Sequence, residues 1–312
     1  MKIAAILLIL IIAISGCSDS NSNGQDLEPK NPENPPQLDP VESEWDAIRA
    51  NNAAQFSPEW GTPVLAGIST NNWEDSAFIS GDGQTLYFTY YPGDITADMA
   101  KLEFKDDFDI FYSPKPFTQK FVHPISKDIW SEAGAMISGG DIYYMSNFLE
   151  QDEIGVIEAN DNIYKNSERL PFNTLGYETD PHYCAAQDEL YYWVTPSYVD
   201  FKPGDIYVYK DGKSTLLGPP INTDAHDLEP FLTKDCQTMY FTSHRNGKGE
   251  IFVSKRLGEF AWQEPSLVAT SPFGVGKATL TDDGEYLFFV QGFSSALGAN
   301  NADILYVQRK AN

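Results

Sequence analysis

The chain has 312 residues, with 45 Asp and Glu against 21 Lys and Arg, a formal charge of −24 at pH 7. That charge excludes a nucleic-acid binder, because phosphate repulsion would oppose every encounter. It suits a soluble envelope protein or a cation-rich environment, and residues 55–312 are enough for one domain with a full core.

Lys2 supplies a positive start, Ile3 to Ile14 is almost wholly aliphatic, and Ile14-Ser15-Gly16-Cys17 closes the run. About a dozen apolar residues is short for a span that needs about twenty. Residues 1–16 therefore read as a signal peptide that leaves the fold. The closing tetrapeptide resembles a bacterial lipobox, with Ile where Leu is commoner. The resemblance implies cleavage before Cys17, diacylation of its thiol, and membrane contact through lipid alone. Ser18 behind that cysteine resembles the outer-membrane class of lipoproteins, so the expected address is the cell envelope, at the outer membrane, on its periplasmic face or the cell surface. Residues 17–54 follow as a disordered tether, rich in Ser, Asn, Pro and acid over 18–44. A flexible stretch of that length spans roughly 30 Å. One short helix is expected, around Trp45 to Ala54.

From residue 55 onward one pattern recurs: an acid, a short buried strand, a Gly/Asp turn, an aromatic strand, and a strand reading Asp/Glu-Ile-aromatic. The clearest copy begins at Asp227 ("DLEPFLTKDCQTMYFTSHRNGKGEIFVSKRLGEFAWQEPSLV"), with others from Glu74, Glu132, Glu178 and Gly276. Aligned on the residue that opens the innermost strand, the copies fall at Ser76, Gly134, Asp180, Glu229 and Lys277. A period of about 48 residues with four short strands per unit has the size of a propeller blade. The first unit carries an insertion, "PGDITADMAKLEFKDDFD". "FVHPIS", "IYKNSERL", "STLLGPP" and "QEPSLVA" are read as outermost strands of the first four units, and the fifth lacks one. "EWGTPVLAGIST" (Glu59 to Thr70) supplies it. The expectation is an all-β, five-bladed β-propeller over 55–312, closed by an N-terminal strand that completes the last blade and removes the open edge.

Asp227-Leu228-Glu229-Pro230, Tyr240-Phe241-Thr242-Ser243 with Arg245, Glu250-Ile251-Phe252 and "LGPPINT" (Leu217 to Thr223) resemble the TolB-type propeller repeat, a relative of the WD repeat. In the second unit "EIGVIEAND" departs from that pattern, and in the fifth Lys277 replaces the acid. The resemblance implies an envelope propeller, commonly a platform for protein or glycan, with no shared catalytic set.

Two positions before each aligned residue stand Glu74, Glu132, Glu178, Asp227 and then Val275. Symmetry should place the four acids in a ring at one mouth of the channel, with Asp75, Asp180 and Glu229 nearby. Such a ring focuses potential on a cation or a basic partner, and calcium suits its oxygen ligands. The alternative is that each acid accepts amides of its own inter-unit turn, and Lys277 can pair with the ring. A glycosidase reading would draw its carboxylates from Glu132, Asp180, Glu229 and Asp75. Catalytic acids usually break repeat symmetry, whereas these follow it.

His123, His182, His226 and His244 have no ligand spacing; His182 with His226 is the one pair expected near a common mouth. No nucleophile elbow is present. Cys184 and Cys236, in neighbouring units, are either a staple in an oxidising compartment or two buried thiols. The paired aromatics of each second strand point to opposite faces and are read as inter-sheet packing. Exposed aromatics in loops near Tyr91 to Phe108 and Tyr198 to Phe201 would serve a sugar better. The functional expectation is a non-catalytic, lipid-anchored scaffold for an envelope protein or glycan. A glycoside hydrolase or lyase and a calcium-stabilised structural propeller are the alternatives. No catalytic residue and no cofactor beyond calcium is assigned.

Overall fold

Aromatic and β-branched runs broken by Gly, Asp and Asn turns favour short strands joined by hairpins. The computed structural model of the chain describes residues 42–95, 98, 108–126, 131–146, 162–173, 177–195, 203–295 and 300–311. The targeting segment 1–16, Cys17 and the tether up to residue 41 lie outside the described residues. So do "EIGVIEAND", Tyr198 to Phe201 and most of the first-unit insertion.

The described chain is nearly all-β. It opens with α1 (Glu42–Asn51), β1 (Gln55–Phe56) and β2 (Val64–Leu65). The helix begins and ends a few residues earlier than expected. The first repeat unit follows as β3 (Trp73–Ile79), β4 (Thr85–Tyr91), β5 (Asp109–Pro114) and β6 (Phe121–Val122). The second is β7 (Glu132–Ser138), β8 (Asp141–Ser146), β9 (Asn162–Lys165) and β10 (Glu168–Arg169), and the third β11 (Tyr177–Cys184), β12 (Glu189–Thr195), β13 (Asp205–Lys210) and β14 (Lys213–Leu216). The fourth runs β15 (Asp227–Leu232), β16 (Thr238–Ser243), β17 (Glu250–Gly258), β18 (Ala261–Trp262) and β19 (Ser266–Thr270). The fifth is β20 (Val275–Leu280), β21 (Tyr286–Ser294) and β22 (Asn300–Gln308).

These strands lie in four sheets, because a parallel bridge between Ala302 and Trp73 joins the fifth and first units into one sheet of eight strands. In that sheet β2 pairs antiparallel with β22, Val64 opposite Tyr306 and Leu65 opposite Leu305. The sequence pattern did not anticipate β1, which lies on the far edge of β19. The second unit corrects one strand assignment. "IYKNSERL" is not a single outer strand: Asn162–Lys165 is the third strand, and only Glu168–Arg169 is the fourth. Asn162-Ile163-Tyr164 is that unit's version of the Asp-Ile-aromatic signature, with Asn in place of the acid.

The aligned residues share one backbone device. The register between first and second strands slips at Asp75/Phe78, Ala133/Met136, Thr179/His182, Leu228/Phe231 and Gly276/Thr279. At each slip the aligned residue is left-handed: φ is 49° at Ser76, 61° at Gly134, 50° at Asp180, 57° at Glu229 and 54° at Lys277. A β-bulge of this kind bends the strand and re-aims the extra residue. Its freed amide finds a side chain. Gly134 N–H donates to Thr89 Oγ1 at 3.1 Å, Lys277 N–H to Thr242 Oγ1 at 3.1 Å, and Ser76 N–H to Asp75 Oδ1 at 2.5 Å. The hairpins that follow repeat too. Ser80, Thr233 and Thr281 donate their hydroxyls to Asp82, Asp235 and Asp283, and the same Oδ1 accepts the amide of Gln84, Gln237 or Glu285. Each is a short acid–hydroxyl turn of the kind that sets a hairpin.

Aromatics fill the space between units, as with Tyr143 on Tyr183 at 5.3 Å and Phe172 on Tyr192 at 4.5 Å. Trp45 of α1 is buried in the same core. Cys184 and Cys236 form a disulfide between the third and fourth units, Cα to Cα 6.0 Å. Among the described residues no helix is long and apolar enough to cross a membrane.

Candidate functional site

The five bulges meet at the centre. A constriction of about 40 Å³ is lined by one triplet from each unit: Ser76–Phe78, Gly134–Met136, Asp180–His182, Glu229–Phe231 and Lys277–Thr279. That volume holds about one or two waters. Bulging turns the first residue of each triplet toward the channel, so this constriction gathers Asp180, Glu229 and Lys277, with Asp75 next to Ser76.

The ammonium of Lys277 contacts the carboxylate of Asp180 and stands 3.8 Å from Glu229 Oε1. Asp180 Oδ2 also accepts the Trp193 indole N–H at 2.6 Å and the Thr179 hydroxyl at 3.2 Å. Glu229 Oε2 accepts the Thr242 hydroxyl at 2.5 Å and the Lys277 amide at 2.8 Å. Asp75 Oδ2 accepts the Trp73 indole at 3.1 Å. Gly276 makes this cluster fit, since a Cβ there would sit 2.6 Å from Glu229 Oε2. Burial pushes the Glu229 carboxyl up to about 7; Lys277 pulls it down, while Asp180 and Asp75 push it further up. Burial also raises Asp75, against the opposing pull of Lys277 and its hydrogen bonds. Burial alone would lower Lys277, but Asp180, Glu229 and Asp75 outweigh it and hold the ammonium charged.

Of the predicted site residues, Asp180 and Glu229 line this constriction. Glu74, Glu132, Glu178 and Asp227 line neither it nor the funnel beyond. All four are buried at the start of their first strands. Glu74 accepts the Thr70 amide at 3.0 Å and its hydroxyl at 2.6 Å, and pairs with Lys120 at 3.3 Å. Asp227 repeats the arrangement with the Thr223 amide at 2.6 Å, its hydroxyl at 2.8 Å, and Arg245 at 3.1 Å. Each holds the turn that enters its own unit. Glu132 receives the Ser146 hydroxyl at 3.5 Å. Burial pushes Glu74 up to about 7 despite Thr70 and Lys120.

The histidines pair differently from the expectation. His182 packs edge-on against Phe231 at 4.6 Å, whereas His226 meets His244 at 5.7 Å. Among the described residues no three His, Cys, Asp or Glu side chains converge to hold a metal ion.

Beyond the constriction the channel widens into an open funnel of about 740 Å³. Phe78, Met136, His182 and Phe231 form its floor, and the hairpin turns after each first strand form its rim. Sequence reading missed it. Its floor looked like ordinary core and its rim like ordinary turns, and only their shared position in every repeat marks a common cavity.

No protein-family model matches the chain, and no curated protein matches it. Three solved structures align over most of its length. A TolB-type protein of Agrobacterium tumefaciens is 12% identical, covers 84% of this chain and 99% of its own, with a TM-score of 0.45. The β-propeller domain of the Trilobed protease of Pyrococcus furiosus is 13% identical over 74% and 66%, TM-score 0.38. CoXyl43, a β-xylosidase/α-arabinofuranosidase from a compost microbial metagenome, is 14% identical over 80% and 96%, TM-score 0.50. The likeness is one of fold, a β-propeller.

Proposed function

We propose that this chain is a non-catalytic five-bladed propeller, closed by β2 on β22 and held at the cell envelope by a lipid on Cys17, that binds an envelope protein or glycan. One observation carries the non-catalytic reading: the channel carboxylates are occupied by Lys277, two indoles and the Thr242 hydroxyl around a space for about one or two waters. A sugar ring has no access to them there, while the funnel at the far end is open to a ligand. The chain's high negative charge adds attraction for a basic partner.

The test is recovery of the full, lipidated chain from its own envelope, with and without calcium. A stoichiometric protein partner, or retention on isolated envelope polysaccharide, supports the scaffold reading. Turnover of a glycoside that disappears in Glu229→Gln removes it.

A hydrolase is the second reading, and the Glu229 carboxyl near 7 favours it, since a general acid at neutral pH needs such a value. It requires Lys277 to leave the constriction, so Lys277→Met should raise hydrolysis of an aryl glycoside. An unchanged background rate counts against it.

A further inference from the structure

The funnel has a chemistry of its own. Phe78 and Phe231 keep 9% and 8% of their surface exposed, so they face the cavity rather than closing it. Met136 and Leu280 extend this apolar surface. His182 lies among them with Nε2 at 3.1 Å from the Leu232 carbonyl, and burial pushes its pKa down to about 4, so the floor carries no positive charge. The rim is charged and uneven. Four charged residues line it, Lys234, Asp235, Asp282 and Asp283. Lys234 is already paired with Asp282 at 2.6 Å. Asp282 sits over Gly81, where a Cβ would be 2.5 Å from its carboxylate, so the glycine makes room for the pair. Asp235 and Asp283 are each fixed through Oδ1 by their own turns, and those hydrogen bonds hold both carboxyls below the ordinary range. On the second and third units the rim is Gly139 and Ala185, small residues that leave the entrance wide.

The geometry points to a binding site for an organic cation with an apolar body, the body on Phe78, Met136 and Phe231 and the cationic group at Asp235 and Asp283. Two oriented carboxylates above an uncharged aromatic floor favour ammonium over carboxylate on the same framework. An anionic ligand of equal size would meet repulsion at the rim. This inference rests on the binding reading above and names the ligand class for the funnel.

The experiment titrates the full chain with phenethylamine and with 3-phenylpropionate, which share an aromatic body and differ in charge, by calorimetry at low salt. Saturable binding of one phenethylamine per chain with none of phenylpropionate is expected. Asp235→Asn with Asp283→Asn keeps the Oδ1 acceptor of each turn and should weaken binding about ten-fold. Ala185→Trp, at an exposed rim position, should block the entrance and abolish binding. Equal binding of both probes, binding of neither, or binding undiminished in the double Asn variant overturns the inference. A partner captured equally from the envelope by wild type and the double variant would leave the scaffold reading standing while this one falls.

Discussion

Lys277 of the fifth unit contacts the carboxylate of Asp180 in the third, so the two span the channel between units that are not sequence neighbours. The contact works because both residues occupy the same bulge position, where a left-handed backbone turns the side chain inward. A buried cation shared by Asp75, Asp180 and Glu229 is the electrostatic centre of the ring.

Lys277→Met is expected to destabilise the protein, because it leaves buried carboxylates without a counter-charge. Loss of one partner of a buried pair costs about 3–5 kcal/mol, which at this size lowers the melting midpoint by about 10 °C. Glu229 can relieve the defect by taking a proton. The deficit measured at pH 8 should therefore exceed that at pH 5.5. Equal midpoints for variant and wild type across that range would show that Lys277 does not hold the cluster together.

Stability should peak on the acid side of neutrality. Burial holds Glu74 and Glu229 at about 7 and Asp303 at about 6, all above their ordinary values. The native state thus binds these protons more tightly than the unfolded chain, and their contribution falls as pH climbs from about 4.5 to about 7. The turn acids Asp82, Asp235 and Asp283 act oppositely. Hydrogen bonds from Ser80, Thr233 and Thr281 hold them low, so their contribution is lost as pH falls below the ordinary carboxylate range. Burial also holds His182 and His244 low, at about 4 and about 3, so their contribution is lost as pH falls below about 6.5, and the melting midpoint is highest between about pH 5 and about pH 7. Glu229→Gln should flatten the decline above it, and a profile that rises steadily to pH 8 would contradict the assignment.

The aligned residues were legible as a repeat position but not as a conformation. Only Gly134 is a glycine, and Asp180 is of a type that tolerates positive φ; Ser76, Glu229 and Lys277 adopt it with nothing in their side chains to announce it. The bulge comes from the geometry of the innermost strand, which no single-strand pattern encodes. The acids two positions earlier were legible as repeated, and the Thr70–Glu74 and Thr223–Asp227 spacings explain why. Each pair makes the same turn, so repetition there reflects chain entry to a unit. Asn162 hid a strand because the signature was sought with an acid at that place. Arg49 gave no signal, since its partner lies at the other end of the chain.

That partner is Asp303. Arg49 Nε donates to Asp303 Oδ2 at 2.7 Å, and Nη2 to the Thr70 carbonyl at 2.7 Å, which docks α1 on β22 and the start of the first unit. Arg49→Met strands a buried carboxylate, so a loss of about 3 kcal/mol is expected. Asp303→Asn in the same chain should recover part of it. The melting midpoint provides the readout: it should fall in Arg49→Met and partly return in the double variant. Additive losses in the double-mutant cycle would mean that the two residues are not coupled.

The Cys184–Cys236 bridge joins two residues 52 apart in sequence and lies beside an ionic knot. The Cys236 carbonyl accepts Arg256 Nε at 2.7 Å, and Arg256 Nη2 donates at 2.6 Å to Oε2 of Glu189, the residue directly opposite Cys184 across its hairpin. The disulfide and the ion pair thus fasten the same two units side by side, close to the funnel rim that Cys184 lines. Cross-linking a loop of that length stabilises by about 4 kcal/mol on chain entropy. Reduction, or Cys184→Ser with Cys236→Ser, should therefore lower the melting midpoint by about 10 °C. Arg256→Met should cost more in the reduced protein than in the oxidised one, because without the bridge the ion pair carries a larger share of that seam. Identical losses in both redox states would show that the two fastenings act independently.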